Sequence, residues 1–142
     1  MDTPTRDAHI GWRLLALVYD LFPVAGLWFL VAAVFVLLHG DAVTGGALGW
    51  LEFVALWSVT GAYAILSWRR GGQTLGMRPW RLRVVGADGG AAPLGALVVR
   101  YAVGTLSLLA GGLGFWWAWV DRDALAWHDR ASHTRLVREP RA

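Results

Sequence analysis

The sequence predicts an all-α membrane protein. It is expected to have two transmembrane helices, a third apolar segment broken by glycines, and short strands that pair at the cytoplasmic surface. Three observations predict this. Residues 11–38 and 48–68 are apolar runs long enough to span a hydrocarbon layer. The arginines gather into residues 69–93 and 121–142, the pattern of cytoplasmic segments. The apolar stretch 94–120 carries Gly111-Gly112-Leu113-Gly114 in its interior, so it does not read as one continuous helix.

Composition agrees. The chain has 142 residues, is 56% hydrophobic with mean hydropathy +0.46, and contains ten tryptophans, which favour the headgroup level. At this length a single domain is expected. Cysteine is absent, which excludes disulfides, thiolate metal sites and thiol nucleophiles. The net charge of +3 comes entirely from arginine over acid, with no lysine. In a membrane chain this charge reports topology, so no nucleic-acid partner is expected.

The elements follow in order. Residues 1–10 form a polar lead. The run that follows is longer than a signal-peptide core and lacks a small-x-small cleavage site, so it is expected to be an uncleaved anchor. Helix 1 (11–38) contains Pro23, which frees a backbone carbonyl and introduces a kink. It also contains Asp20, a carboxylate within the apolar run, whose insertion costs roughly 2.5–3.5 kcal/mol. Arg13 lies seven residues earlier, about two turns along the same face, and is its nearest expected partner. Arg78, Arg100 and His128 are the alternative partners. An outer loop (39–47) leads into helix 2 (48–68), where Gly61 and Ala64 offer a small-residue strip for close helix contact. Glu52 near the start of helix 2 is a secondary candidate, although it lies toward the opposite membrane surface from Asp20.

The basic linker (69–93) contains Arg81-Leu82-Arg83-Val84, whose alternation is that of a half-buried strand. Thr134–Arg138 in the tail (121–142) is a second strand candidate, able to pair with the first. The segment 94–120 either crosses once or enters and returns at the glycines. A single crossing would place the five tail arginines outside, against the charge rule, so a re-entrant arm or helical hairpin is favoured.

These residues together resemble the RDD family of bacterial integral membrane proteins. Gly11-Trp12-Arg13-Leu14-Leu15-Ala16-Leu17-Val18-Tyr19-Asp20 is similar to that family's first-helix pattern. Gly72-Gln73-Thr74-Leu75-Gly76-Met77-Arg78 with Arg81-Leu82-Arg83-Val84-Val85 is similar to its linker. Trp127-His128-Asp129-Arg130 with Thr134-Arg135-Leu136-Val137 is similar to its C-terminal segment. The resemblance implies that Arg13, Asp20 and Asp129 are the namesake Arg and two Asp residues. It also implies a multi-pass protein of the bacterial inner membrane; the charge rule places its N-terminus in the cytoplasm, and no cofactor is expected.

Two functions are expected from different classes. One is proton-coupled transport of a monovalent cation by a homo-oligomer, with Asp20 as the coupling carboxylate. The other is a small membrane assembly or adaptor protein. In it the Arg–Asp pair is a structural latch, and the basic cytoplasmic face binds a partner or anionic lipid. No enzymatic activity and no metal site are expected. The four histidines are scattered, none at zinc-binding helical spacing.

Overall fold

The structure, a computed structural model, describes residues 6–7 and 9–140. Most of the polar lead and Arg141 of the tail lie outside the described residues. The elements run β1 (Arg6–Asp7), α1 (Ile10–His39), α2 (Gly46–Gly71), a 3-10 turn (Arg78–Trp80), β2 (Leu82–Gly86), α3 (Leu94–Leu109), α4 (Leu113–Val120), α5 (Trp127–Ser132) and β3 (Thr134–Arg138).

The helices α1 and α2 are both long and apolar enough to cross a membrane. At 1.5 Å per residue α1 is about 45 Å long. Its outward faces carry Phe22, Phe29, Leu37 and Leu38, all exposed. In a chain with so little covering protein, this is the distribution expected where lipid is the solvent. Both helices stop at a glycine in the left-handed region, Gly40 and Gly72, whose N–H groups bond Val36 and Trp68 carbonyls at 2.8 Å. The second stop explains why α2 runs past the expected end at Trp68. Arg69 and Arg70 are good helix formers, and nothing interrupts the ladder before Gly72. The small-residue strip packs as expected. Gly61 and Ala64 are the buried residues of α2, and a Cβ at Gly61 would lie 2.6 Å from the Tyr101 ring of α3.

The strands expected in the linker and the tail pair antiparallel, with Val84 opposite Leu136 and Gly86 opposite Thr134. The alternation selects the faces: Leu82 and Val84 are buried while Arg83 is half-buried. The short strand β1 adds to the free edge of β3, giving the order β1-β3-β2. A two-residue strand is too short for alternation to show in sequence. Beneath the sheet, Leu82, Val84, Leu97 and Leu136 close a core with Ala16 and Met77, flanked by Trp12, Ile65 and Trp68.

Helices α3 and α4 meet at 98° across a break that contains Gly111 and Gly112, with φ of 72° and 79°. The sheet decides between crossing and returning. The strand before α3 pairs directly with the strand after α5, and α5 packs along α3. The third segment therefore leaves the sheet, turns at the glycines and comes back to it. This returns the tail to the end of the bundle where the linker lies.

A candidate polar cavity

Two polar clusters line one cavity among α1, α2 and α3. The first is built on Asp129, in the first turn of α5. Its carboxylate accepts the backbone N–H of Ala126 at 3.0 Å, capping its own helix. Arg13 reaches it from α1, with Nη1 2.7 Å from Oδ2. Arg100 reaches it from α3: its Nη1 bonds Oδ1 and also Thr134 Oγ1, the latter at 2.8 Å. Ser132 Oγ bonds Thr134 Oγ1 at 2.6 Å, fixing the start of β3. Asp129 is 1% exposed, and Arg13 and Arg100 are 3% each. Three elements distant in sequence are thus held by one buried carboxylate between two guanidiniums.

Burial alone would raise the Asp129 carboxyl. The guanidiniums of Arg100 and Arg13, the neighbouring His128 and the Ala126 N–H outweigh it and hold the group far below the usual carboxylate range. Burial, followed by the positive charge of Arg100, pushes His128 down to about 3, so it is neutral. Its ring packs on Phe115 at 4.7 Å between centroids.

A pH dependence follows. His128 has a folded value of about 3 against about 6.5 unfolded, so the unfolded chain binds the proton first. The stability from burying it neutral is complete above the unfolded value and falls as pH drops toward the folded one. Asp129, also depressed, acts in the same direction below about pH 4. Between pH 7 and pH 5 the histidine contribution is about 2 kcal/mol. Thermal melts in detergent should show wild type losing stability over that interval and His128→Gln losing much less. Parallel curves would show that His128 is not buried neutral.

The second cluster surrounds Asp20. Its Oδ1 accepts Tyr63 Oη at 2.7 Å and the Gly76 N–H at 2.9 Å, and its Oδ2 accepts Thr74 Oγ1 at 2.5 Å. Tyr63 Oη in turn accepts the Leu75 N–H at 3.1 Å. Residues 72–77 thus form a hook that closes over the carboxylate, and Gly76 lies directly on the α1 backbone.

This corrects the expected Arg13–Asp20 pairing. Among the described residues Arg13 makes its ion pair with Asp129, and Asp20 takes hydroxyl and amide donors. Seven residues put both side chains on one face but about 10 Å apart along the axis, and each finds a nearer partner. The alternative partners differ as well. Arg100 and His128 sit around Asp129, while Arg78 is exposed on the 3-10 turn. Glu52 is half-buried near the start of α2, 11 residues and about 16 Å along that helix from Tyr63, so it does not join either cluster. Tyr63, Thr74 and Thr134 were not singled out from the sequence. Hydroxyl residues in apolar or loop segments carry no signal of their own, and only the glycines flanking Gln73-Thr74-Leu75 mark a close backbone approach there.

Arg13, Asp20, Tyr63, Trp68, Arg100 and His128 line a common cavity of about 280 Å³ whose remaining walls are mostly apolar, with Thr60, Thr74, Tyr101 and Thr105 among them.

Searches of curated proteins and of solved structures returned no match. A family model does match, that of the RDD family, over residues 8–133, and this interval contains Arg13, Asp20, Arg100 and Asp129, while Thr134 and the strand β3 lie just beyond it. A membrane protein with Arg13, Asp20 and Asp129 in this setting, matched over nearly its whole length, belongs to the RDD family.

Proposed function

We propose that the protein is a small assembly unit of the bacterial inner membrane. Its buried Arg13–Asp129–Arg100 latch fastens the returning segment to the transmembrane helices and so presents a basic sheet face to anionic lipid. The latch is the observation that carries this reading. It joins α1, α3 and α5 through fully buried charges. The exposed arginines at that end support it further. Arg69, Arg70, Arg78 and Arg135 all lie in the linker or the tail. With that end cytoplasmic, as the charge rule directs, the N-terminus is cytoplasmic too. Vesicles mixing phosphatidylglycerol with phosphatidylcholine test the reading. After mild solubilisation the protein should retain the anionic lipid, and Arg69→Ser with Arg70→Ser should lose the preference.

A second reading, proton-coupled exchange of Na⁺, K⁺ or Li⁺ by a homo-oligomer, rests on Asp20 facing the cavity. It is favoured less. Three donors already occupy most of the acceptor sites of Asp20, whereas a hard cation needs oxygen lone pairs. Cation pulses on proteoliposomes holding a pH dye distinguish the two. A proton flux abolished by Asp20→Asn favours exchange, and silence from folded protein favours the assembly role. Orientation is checked separately by single cysteines in this cysteine-free chain. Asp88→Cys and Asp123→Cys should label from one side, and Asp41→Cys from the other.

A further inference from the structure

The cavity has a chemistry that the assembly role does not use. Helix α2 packs against both α1 and α3, but α1 and α3 hardly meet. The gap between them is a groove walled by Leu17, Leu21 and Val24 on one side and by Tyr101, Thr105 and Leu108 on the other. Leu21 and Leu108, at its lips, are 58% and 55% exposed, so the groove opens sideways, toward the lipid, between two helices.

The two ends of the groove differ. At the far end the Trp28 and Trp57 indole N–H groups are both satisfied, by Thr60 at 2.8 Å and Thr105 at 3.2 Å. At the sheet end two buried donors have no acceptor among the described residues. These are Arg100 Nε and Trp68 Nε1, on side chains that lie together with the guanidinium 5.4 Å from the indole ring. His128 Nδ1, beside them, is also without a partner. A buried donor left unpaired bears its full desolvation penalty, which is larger when the group is charged. Asp20 lines the cavity too, but the hook holds both its oxygens.

We infer that this cavity binds one long-chain fatty acid, with its carboxylate at Arg100 and Trp68 and its chain lying along Leu17, Leu21 and Val24 toward Trp28. The carboxylate supplies the acceptor oxygens that the buried Arg100 Nε and Trp68 Nε1 lack, and the groove wall accepts methylene. Arg13 and Trp28 are 15 residues apart on α1, about 22 Å, so the groove suits an extended chain. The volume, about 280 Å³, is at the lower limit for small-molecule sites and has room for one chain without a glycerol backbone and its second chain. This inference is independent of the lipid preference proposed for the basic face, which involves other residues.

Scintillation-proximity binding of tritiated palmitate to the detergent-purified full chain tests it. Unlabelled palmitate, methyl palmitate and a dioleoyl phosphatidylglycerol serve as competitors. Binding should be saturable. Methyl palmitate should compete about tenfold more weakly or worse, the scale of one lost charge-assisted hydrogen bond. Gly104→Leu should abolish binding while leaving the melting temperature near wild type. Gly104 lines the cavity, and a Cβ there meets nothing closer than His128 Cβ at 4.0 Å. Leu21→Trp at the lip, where there is open space, is a second blocking variant if Gly104→Leu does not fold. Absence of saturable binding, equal competition by the methyl ester or the diacyl lipid, or undiminished binding by a folded blocking variant would each overturn the assignment.

Discussion

Asp129→Asn is expected to be among the most damaging single substitutions in this chain. The amide keeps the size of the side chain but takes the Asp129 charge away from Arg13 and Arg100, which stay buried at 3% exposure. Breaking a buried ion pair from one side costs about 3–5 kcal/mol, against a total stability of about 5–15 kcal/mol for an ordinary domain. The variant should therefore express poorly, and its melting temperature in detergent should fall sharply. The damage comes from the orphaned cations and not from lost attraction, and a second variant separates the two. Replacing all three members together, Arg13→Met, Arg100→Met and Asp129→Leu, removes the charges with their counter-charge and should recover most of the stability. Arg100→Lys should fall between. One Nη1 of Arg100 serves both Asp129 and Thr134, which a single ammonium nitrogen can also do, but the lysine loses the planar guanidinium that stacks on Trp68. If the triple variant melts as low as Asp129→Asn, the latch owes its effect to specific geometry that apolar packing cannot replace.

The parts of this structure that were legible in sequence are those whose signal is local. The two spanning helices are continuous apolar runs, and β2 and β3 show alternation. The turn between α3 and α4 is written in Gly111-Gly112, and the direction of the third segment in the arginines after it. Pairing across the fold was less legible. Arg13 and Asp129 are separated by 116 positions, and nothing near either one names the other. Asp20 was conspicuous as a charge within an apolar run, but its partners are a tyrosine inside α2 and a loop that reads as polar linker. Proximity in sequence favoured Arg13 for Asp20 because helical periodicity reports the face and not the reach. The family resemblance grouped Arg13, Asp20 and Asp129 as its namesake residues. The geometry divides them between a charged latch and a hydrogen-bonded hook that share a cavity.

The hook makes the second large prediction, at a residue with no side chain. A Cβ on Gly76 would stand 2.2 Å from the Ala16 carbonyl oxygen and 2.7 Å from both Asp20 Cγ and the Asp20 backbone nitrogen. Two of these atoms belong to the main chain of α1, where a shift would disturb the helical ladder, so the loop must retreat. Retreat breaks the Gly76 N–H bond to Asp20 and draws Thr74, 3% exposed, away from the same carboxylate. Overpacking of this kind costs about 1–3 kcal/mol, and each lost hydrogen bond to a charged group about 1.5–3 kcal/mol. Gly76→Ala should therefore destabilise by several kcal/mol, approaching Asp129→Asn although it removes no charge. Gly71→Ala, five residues earlier, is the control. It ends α2, has open space around it and has no positive φ, so alanine there should be neutral or slightly stabilising. Paired melts of the two variants isolate the seating of the loop on Asp20 from any general effect of adding a methyl group. Equal melting temperatures would mean that residues 72–77 do not close over Asp20, and the carboxylate would then be free to take a proton or a cation in the way the transport reading requires.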